Sequence, residues 1–175
     1  MQNLHLHTQL VSYQENWPQL FQEEKVQILA VFVGYDVKDI QHIGSTSIPG
    51  IKSKPIIDIA LLVDYTDDHN QYTQKLIALG YEYDEQASSS ERYFYRKYNE
   101  SIGYHISIAF TNKGEFWKRQ ILFRDYLIKH PQYRDEYQKI KEQAIAEDST
   151  GRQLYVGAKT DFVLRILSQA EKGVQ

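Results

Sequence analysis

Two short stretches carry side chains suited to chemistry. Gly44-Ser45-Thr46-Ser47 follows an apolar segment ending in His42 and Ile43. Glycine lets backbone approach a ligand closely. Ser and Thr hydroxyls can cap a short helix whose N–H groups turn toward an anion, so a phosphate suits this turn. Further on, Asp58 lies inside the apolar run Pro55 to Val63. An ionised carboxylate in such a strand needs a partner or a metal.

A second set comes from two segments with alternating side chains. On Arg92 to Tyr98, residues Arg92, Phe94 and Arg96 share one side. Same-side arginines clamp phosphate or carboxylate through paired hydrogen bonds. On Tyr104 to Phe110, the set His105, Ser107 and Ala109 shares a side. His105 either acts as a general base near Asp58 or holds its carboxylate. Lys54 stands just before the Asp58 run, and Lys159 one turn after Tyr155. Converging with residues 44–47, these cations bind an anion; apart, they are a solvated strand face and surface lysines.

Other candidates have plainer readings. His5 and His7 belong to an N-terminal segment rather than a metal site. His42 either contacts a ligand beneath the turn or is a hydrogen-bonded strand end. Arg124 and Asp125 suit an ion pair between helices or from helix to sheet. Glu23, Glu24, Glu136 and Glu142 are read as solvated helix faces. No Ser-His-Asp spacing supports a hydrolase triad.

The elements that must position these residues follow from periodicity. Tyr13 to Gly34 reads as a helix, with Trp17, Leu20, Phe21, Glu24, Ile28 and Val31 along one side. Val37 to Ile43 and Pro55 to Val63 read as strands, the second central. Thr66 to Leu79 has helical spacing and stops at Gly80. Arg92 to Tyr98 and Tyr104 to Phe110 form a hairpin about Asn99 to Gly103. From Gly114 onward three helices are expected, with stripes Phe116-Gln120-Phe123-Leu127, Tyr133-Tyr137-Ile140-Ala144 and Tyr155-Phe162-Ile166. A loop covers Asp148 to Gly151, and Pro131 opens the middle helix. Grouped strands followed by clustered helices indicate an α+β fold, a small mixed β-sheet covered by helices mainly on one face.

Composition bounds the rest. The 175 residues suit one domain, 1–175, with a sizeable core. A formal net charge of -3 disfavours an extended nucleic-acid surface, which needs many cations against phosphates. The absence of cysteine excludes disulfides, zinc-thiolate sites and cysteine nucleophiles. No signal peptide or membrane-length apolar run is read, so a cytoplasmic protein without membrane partners is expected.

The string His42 to Ile59, HIGSTSIPGIKSKPIIDI, resembles the GrpB family of the nucleotidyltransferase-like superfamily. Tyr13 with Trp17-Pro18, then Arg92, Phe94, Arg96 and His105, then Phe123-Arg124-Asp125-Tyr126-Leu127, then Tyr155, Lys159 and Phe162 are similar to that family in the same order. The resemblance implies a nucleotidyltransferase-like fold. It also implies metal-assisted phosphoryl transfer, with Mg²⁺ ions roughly 4 Å apart on shared carboxylates. Here the position two beyond Asp58 is Ala60. Asp64 shares the face but lies about 20 Å along the strand, and Tyr104 to Phe110 holds no acid. One Mg²⁺ on Asp58 plus ligand phosphates is the cation this leaves. A nucleotide or phosphorylated small molecule is the expected partner. Fusion of the family's domain to dephospho-CoA kinase in some bacteria implies a link to coenzyme A metabolism. A transferase, a binding module and a protein-contact scaffold are the three functions in play. Gly44, Ser45, Thr46, Ser47, Lys54, Arg92, Arg96 and Lys159 are the binding residues, with Asp58 and His105 at the chemistry.

Overall fold

The computed structural model describes residues 9–147 and 153–173, without the side chains of residues 147 and 153–158. His5, His7, the expected loop Asp148 to Gly151 and the Tyr155 side chain lie outside the described residues.

Helix α1 (Trp17–Val31) opens on Trp17-Pro18, where a missing N–H costs nothing. Its stripe Trp17, Phe21, Glu24 and Ile28 is buried. The helix is shorter than Tyr13 to Gly34: Tyr13 sets its ring edge-on to Trp17 at 5.1 Å instead. Glu24 corrects the expectation of a solvated face. It lies on the same stripe as the apolar residues, and the half-buried Lys97 and the buried Tyr81 hydroxyl satisfy it.

Five strands follow: β1 (Asp39–Ile43), β2 (Ile56–Val63), β3 (Glu82–Tyr83), β4 (Arg92–Tyr98) and β5 (Gly103–Phe110). They form one mixed sheet in the order β1-β2-β5-β4-β3, in which β2 and β5 are parallel and the other pairs antiparallel. β4 has the expected bounds. The hairpin loop to β5 is an Asx turn, with the Asn99 side-chain Oδ1 accepting from the N–H groups of Ser101 and Ile102. The two-residue β3 was not anticipated, since two residues carry no period. Helix α2 (Asn70–Ile77), between β2 and β3, is shorter than Thr66 to Leu79. The Asp68 carboxylate accepts from the Asn70 N–H, which turns the chain into the helix.

Ile57, Ile59, Leu61, Ile106 and Ile108 point to one side of the sheet and are buried with α1 and α2. Each such side chain contributes about 1.5–3 kcal/mol. Three helices, α3 (Phe116–Lys129), α4 (Pro131–Glu147) and α5 (Gln153–Gly173), build a second core with Ile48 and Ile51. α3 lies over the opposite face, so helices occupy both sides rather than mainly one. The cause is the central parallel pair: Ala60 and Ala109 on its second face also need cover.

α4 grips the chain between the Gly-Ser turn and β2 by its backbone. Gln138 accepts from the Lys52 N–H at 2.9 Å, and Lys141 donates to the Lys52 carbonyl at 2.6 Å. Lys141 is only 1% exposed. Burial, helped by Lys159, pulls its ammonium down from 10.5 to about 7. An unfolded lysine keeps its proton to the ordinary value. Above pH 7 the unfolded chain therefore binds more protons, and the folded state gains stability as pH rises. Between pH 7 and about 9, the wild-type melting midpoint is expected to rise more than that of Lys141→Met. Equal slopes would show that Lys141 keeps its charge in the fold.

Candidate functional site

β2 places Asp58 on the face away from the α1 core. Strand pairing sets Ile43 on one side of it and His105 on the other. The row continues to Arg96 on β4. The next row runs Gln41, Ala60, Ser107, Phe94, and a third Asp39, Leu62, Ala109, Arg92. The alternating sets of three strands thus share one face. α3 spans it, with Arg124 donating to Gln41 Oε1 and the His42 carbonyl, and Phe116 stacked on Arg92. Arg124 also meets its neighbour Asp125 at 2.8 Å, so it ties helix to sheet.

The turn leaves β1 through Gly44, at φ 70° and ψ -172°, a conformation essentially restricted to glycine. Its α-carbon lies against Asp58: a β-carbon there would stand 2.9 Å from both the Cβ and Cγ of that residue. The hydroxyls that follow have separate uses. Thr46, 1% exposed, donates to the Ile56 carbonyl at 2.8 Å and meets His42 Nε2 at 3.0 Å. Its single proton goes to Ile56, so His42 Nε2 is the donor in that contact. Ser47 donates to the Gly44 carbonyl at 2.6 Å. Among the described residues, the Ser45 hydroxyl alone of these three makes no hydrogen bond within the protein. His42 faces the α1 side, stacked on Phe21 at 5.0 Å, and burial lowers it from 6.5 to about 4. It is a neutral structural group that ties strand to turn.

Asp58 Oδ1 accepts from His105 Nδ1 at 3.2 Å, and His105 Nε2 meets the Tyr98 hydroxyl at 2.8 Å. Arg92 donates to Ser107 Oγ at 2.7 Å and to the Ala87 carbonyl at 3.2 Å. Its guanidinium lies 4.7 Å from the Phe94 ring centre and 4.8 Å from that of Phe116. Burial lowers its pKa from the ordinary value, with Asp58 and Asp84 opposing. Arg96 lies across from His105, and its guanidinium is engaged by Asp84 at 3.1 Å. Lys54 stands at the foot of β2. Lys159 lies beside Lys141 in the helical layer, apart from the Asp58 row.

Tyr98, Asp84 and Phe116 join this region without having been singled out. Tyr98 had a signal: the alternation that pairs Arg92 with Arg96 reaches it two residues on. Asp84 follows the two-residue β3 and had none.

A two-cation centre does not fit this donor set. Asp58 Oδ1 is engaged by His105, and the position two beyond Asp58 is Ala60. Asp64 is held by Thr111 at 2.5 Å and by Lys38. Among the described residues no group of three His, Cys, Asp or Glu side chains is placed to hold a metal ion. No helix among them is long and apolar enough to cross a membrane.

The chain belongs to the GrpB family, whose model, described as GrpB protein, matches residues 7–169. It is 33% identical over 164 residues to the glutamate-rich protein GrpB of Alkalihalophilus pseudofirmus, covering 91% of this chain and 94% of that one. Among solved structures, the conserved protein GrpB from Enterococcus faecalis superimposes with a TM-score of 0.84 at 26% identity. That match covers 95% of this chain and 99% of the other. The Cid1 poly(U) polymerase aligns with a TM-score of 0.46 at 12% identity, over 85% of this chain and 49% of its own.

Proposed function

We propose that the Asp58 face of the sheet binds a nucleotide or phosphorylated small molecule. The observation that carries this is Arg92. Its guanidinium is half-buried between two aromatic rings and bonded to a hydroxyl and a carbonyl. Among the described residues it has no carboxylate within ion-pair distance. A desolvated cation in that setting favours an anionic ligand. Arg96, two rows along β4 and paired with Asp84, lies beside His105, and the Gly44 turn supplies backbone beside Asp58. The setting is read as the cytoplasm, where such metabolites are concentrated. Mg²⁺-dependent nucleotidyl transfer is the competing reading, and the donor set around Asp58 does not favour it.

The test is thermal melting against inorganic phosphate, nucleoside mono-, di- and triphosphates, coenzyme A and dephospho-coenzyme A, each with and without Mg²⁺. A ligand at a hundred times its Kd stabilises by about 2.7 kcal/mol, a rise of roughly 5–10 °C for a chain of this size. Arg92→Met keeps the packing and is expected to lose the rise. No shift across the panel would overturn the proposal.

A further inference from the structure

We propose that Asp58, His105 and Tyr98 form a metal-independent acid–base relay that hydrolyses a phosphate ester held by Arg92. This rests on the phosphate-binding reading above and goes on to assign a reaction.

The geometry orders the protons. Asp58 accepts from His105 Nδ1, which leaves Nε2 as the basic nitrogen of the ring. Nε2 faces the Tyr98 hydroxyl at 2.8 Å, and that hydroxyl is then the donor. The imidazole is held in place by the Phe94 ring, edge-on at 5.0 Å, and the Tyr98 ring at 5.7 Å. The relay remains open to solvent, since the side chains of Asp58 and His105 are 33% and 19% exposed and Tyr98 is exposed. Asp58 itself is pinned between His105 and Gly44, so it is a positioning residue.

In the reaction, the Tyr98 hydroxyl first turns its proton from His105 Nε2 to the ester oxygen, and the freed Nε2 lone pair takes a proton from a water molecule as its oxygen forms the new bond to phosphorus. The ester P–O bond breaks, and the leaving oxygen takes the phenolic proton of Tyr98. The proton on His105 then returns to the Tyr98 oxygen along their hydrogen bond. One water is consumed, phosphate and an alcohol are released, and both side chains return to their starting states. Arg92 offsets charge on the phosphoryl oxygens.

The experiment uses phenyl phosphate and para-nitrophenyl phosphate, with EDTA present throughout, and the melting shift with inorganic phosphate as the binding readout. Wild-type protein is expected to hydrolyse both esters. His105→Ala should lose at least about a hundredfold on both. Tyr98→Phe should lose about as much on phenyl phosphate and little on para-nitrophenyl phosphate, whose leaving group departs without a proton. Both variants should keep the phosphate shift. Asp58→Asn should keep that shift too and lower kcat with KM little changed, as expected for a residue that orients His105. Turnover dependent on a metal, or equal losses on the two esters in Tyr98→Phe, would overturn the relay. Phosphate binding without turnover in the wild type would overturn the relay and leave the binding reading standing. Neither binding nor turnover would overturn both.

Discussion

Glu24→Ala is expected to destabilise the protein by about 3 kcal/mol, at the lower end of the range for breaking a buried ion pair. The Glu24 side chain is 9% exposed and that of Lys97 22%. Lys97 Nζ donates to Glu24 Oε1 at 2.6 Å, and the Tyr81 hydroxyl donates to the same oxygen at 2.9 Å. The ammonium also lies over the rings of Tyr81 and Tyr104, at 4.6 and 4.9 Å. Truncating Glu24 leaves this charge among aromatic rings without a counterion, which costs more than the pair itself contributes. The partial exposure of Lys97 lets water return and keeps the loss from being larger. The melting midpoint should fall by roughly 6–12 °C. The double variant Glu24→Leu with Lys97→Met should recover most of this, because two apolar side chains replace two desolvated charges. A double variant as unstable as Glu24→Ala would show that the charges themselves hold α1 to the sheet.

Glu24 also shows where the sequence was legible and where it was not. Its place on the apolar stripe of α1 follows from spacing, while its partners come from β4 and from the chain between α2 and β3. Nothing local to Glu24 announces them. Lys141 is the same case on α4: a lysine on a helix reads as solvated until the chain at Lys52 closes over it. The sheet face was more accessible, because period two on β2, β4 and β5 needs no partner to be read. Register completes it, setting Asp58 beside His105 and His105 beside Arg96. Register also separates His42 from this group. Ile43 pairs with Asp58, so His42 must face the other way. The burial of Arg92 depends on Phe116, the first residue of a helix whose position over the sheet no local pattern specifies.

Gly44→Ala is expected to cost about 3 kcal/mol, as backbone strain and overpacking each contribute about 1–3 kcal/mol. At φ 70° and ψ -172° an alanine is strained wherever its side chain points, and here the methyl group points into Asp58. Either the turn or the carboxylate has to move. If the carboxylate moves, its contact with His105 Nδ1 is disturbed. Stability and ester turnover should therefore fall together, because a displaced Asp58 no longer orients His105. The cost should shrink in an Asp58→Ala background, giving a coupling of about 0.5–3 kcal/mol in the double-mutant cycle. Strain alone would give no coupling, since φ and ψ at Gly44 are the same in both backgrounds. A zero coupling would therefore mean that the turn and the carboxylate are independent. A positive one makes the glycine of the Gly-Ser turn a structural support of Asp58, which is a different use from cradling a ligand. The two uses are compatible, because a residue without a side chain can press one side of its backbone on the carboxylate and leave the other to a phosphate.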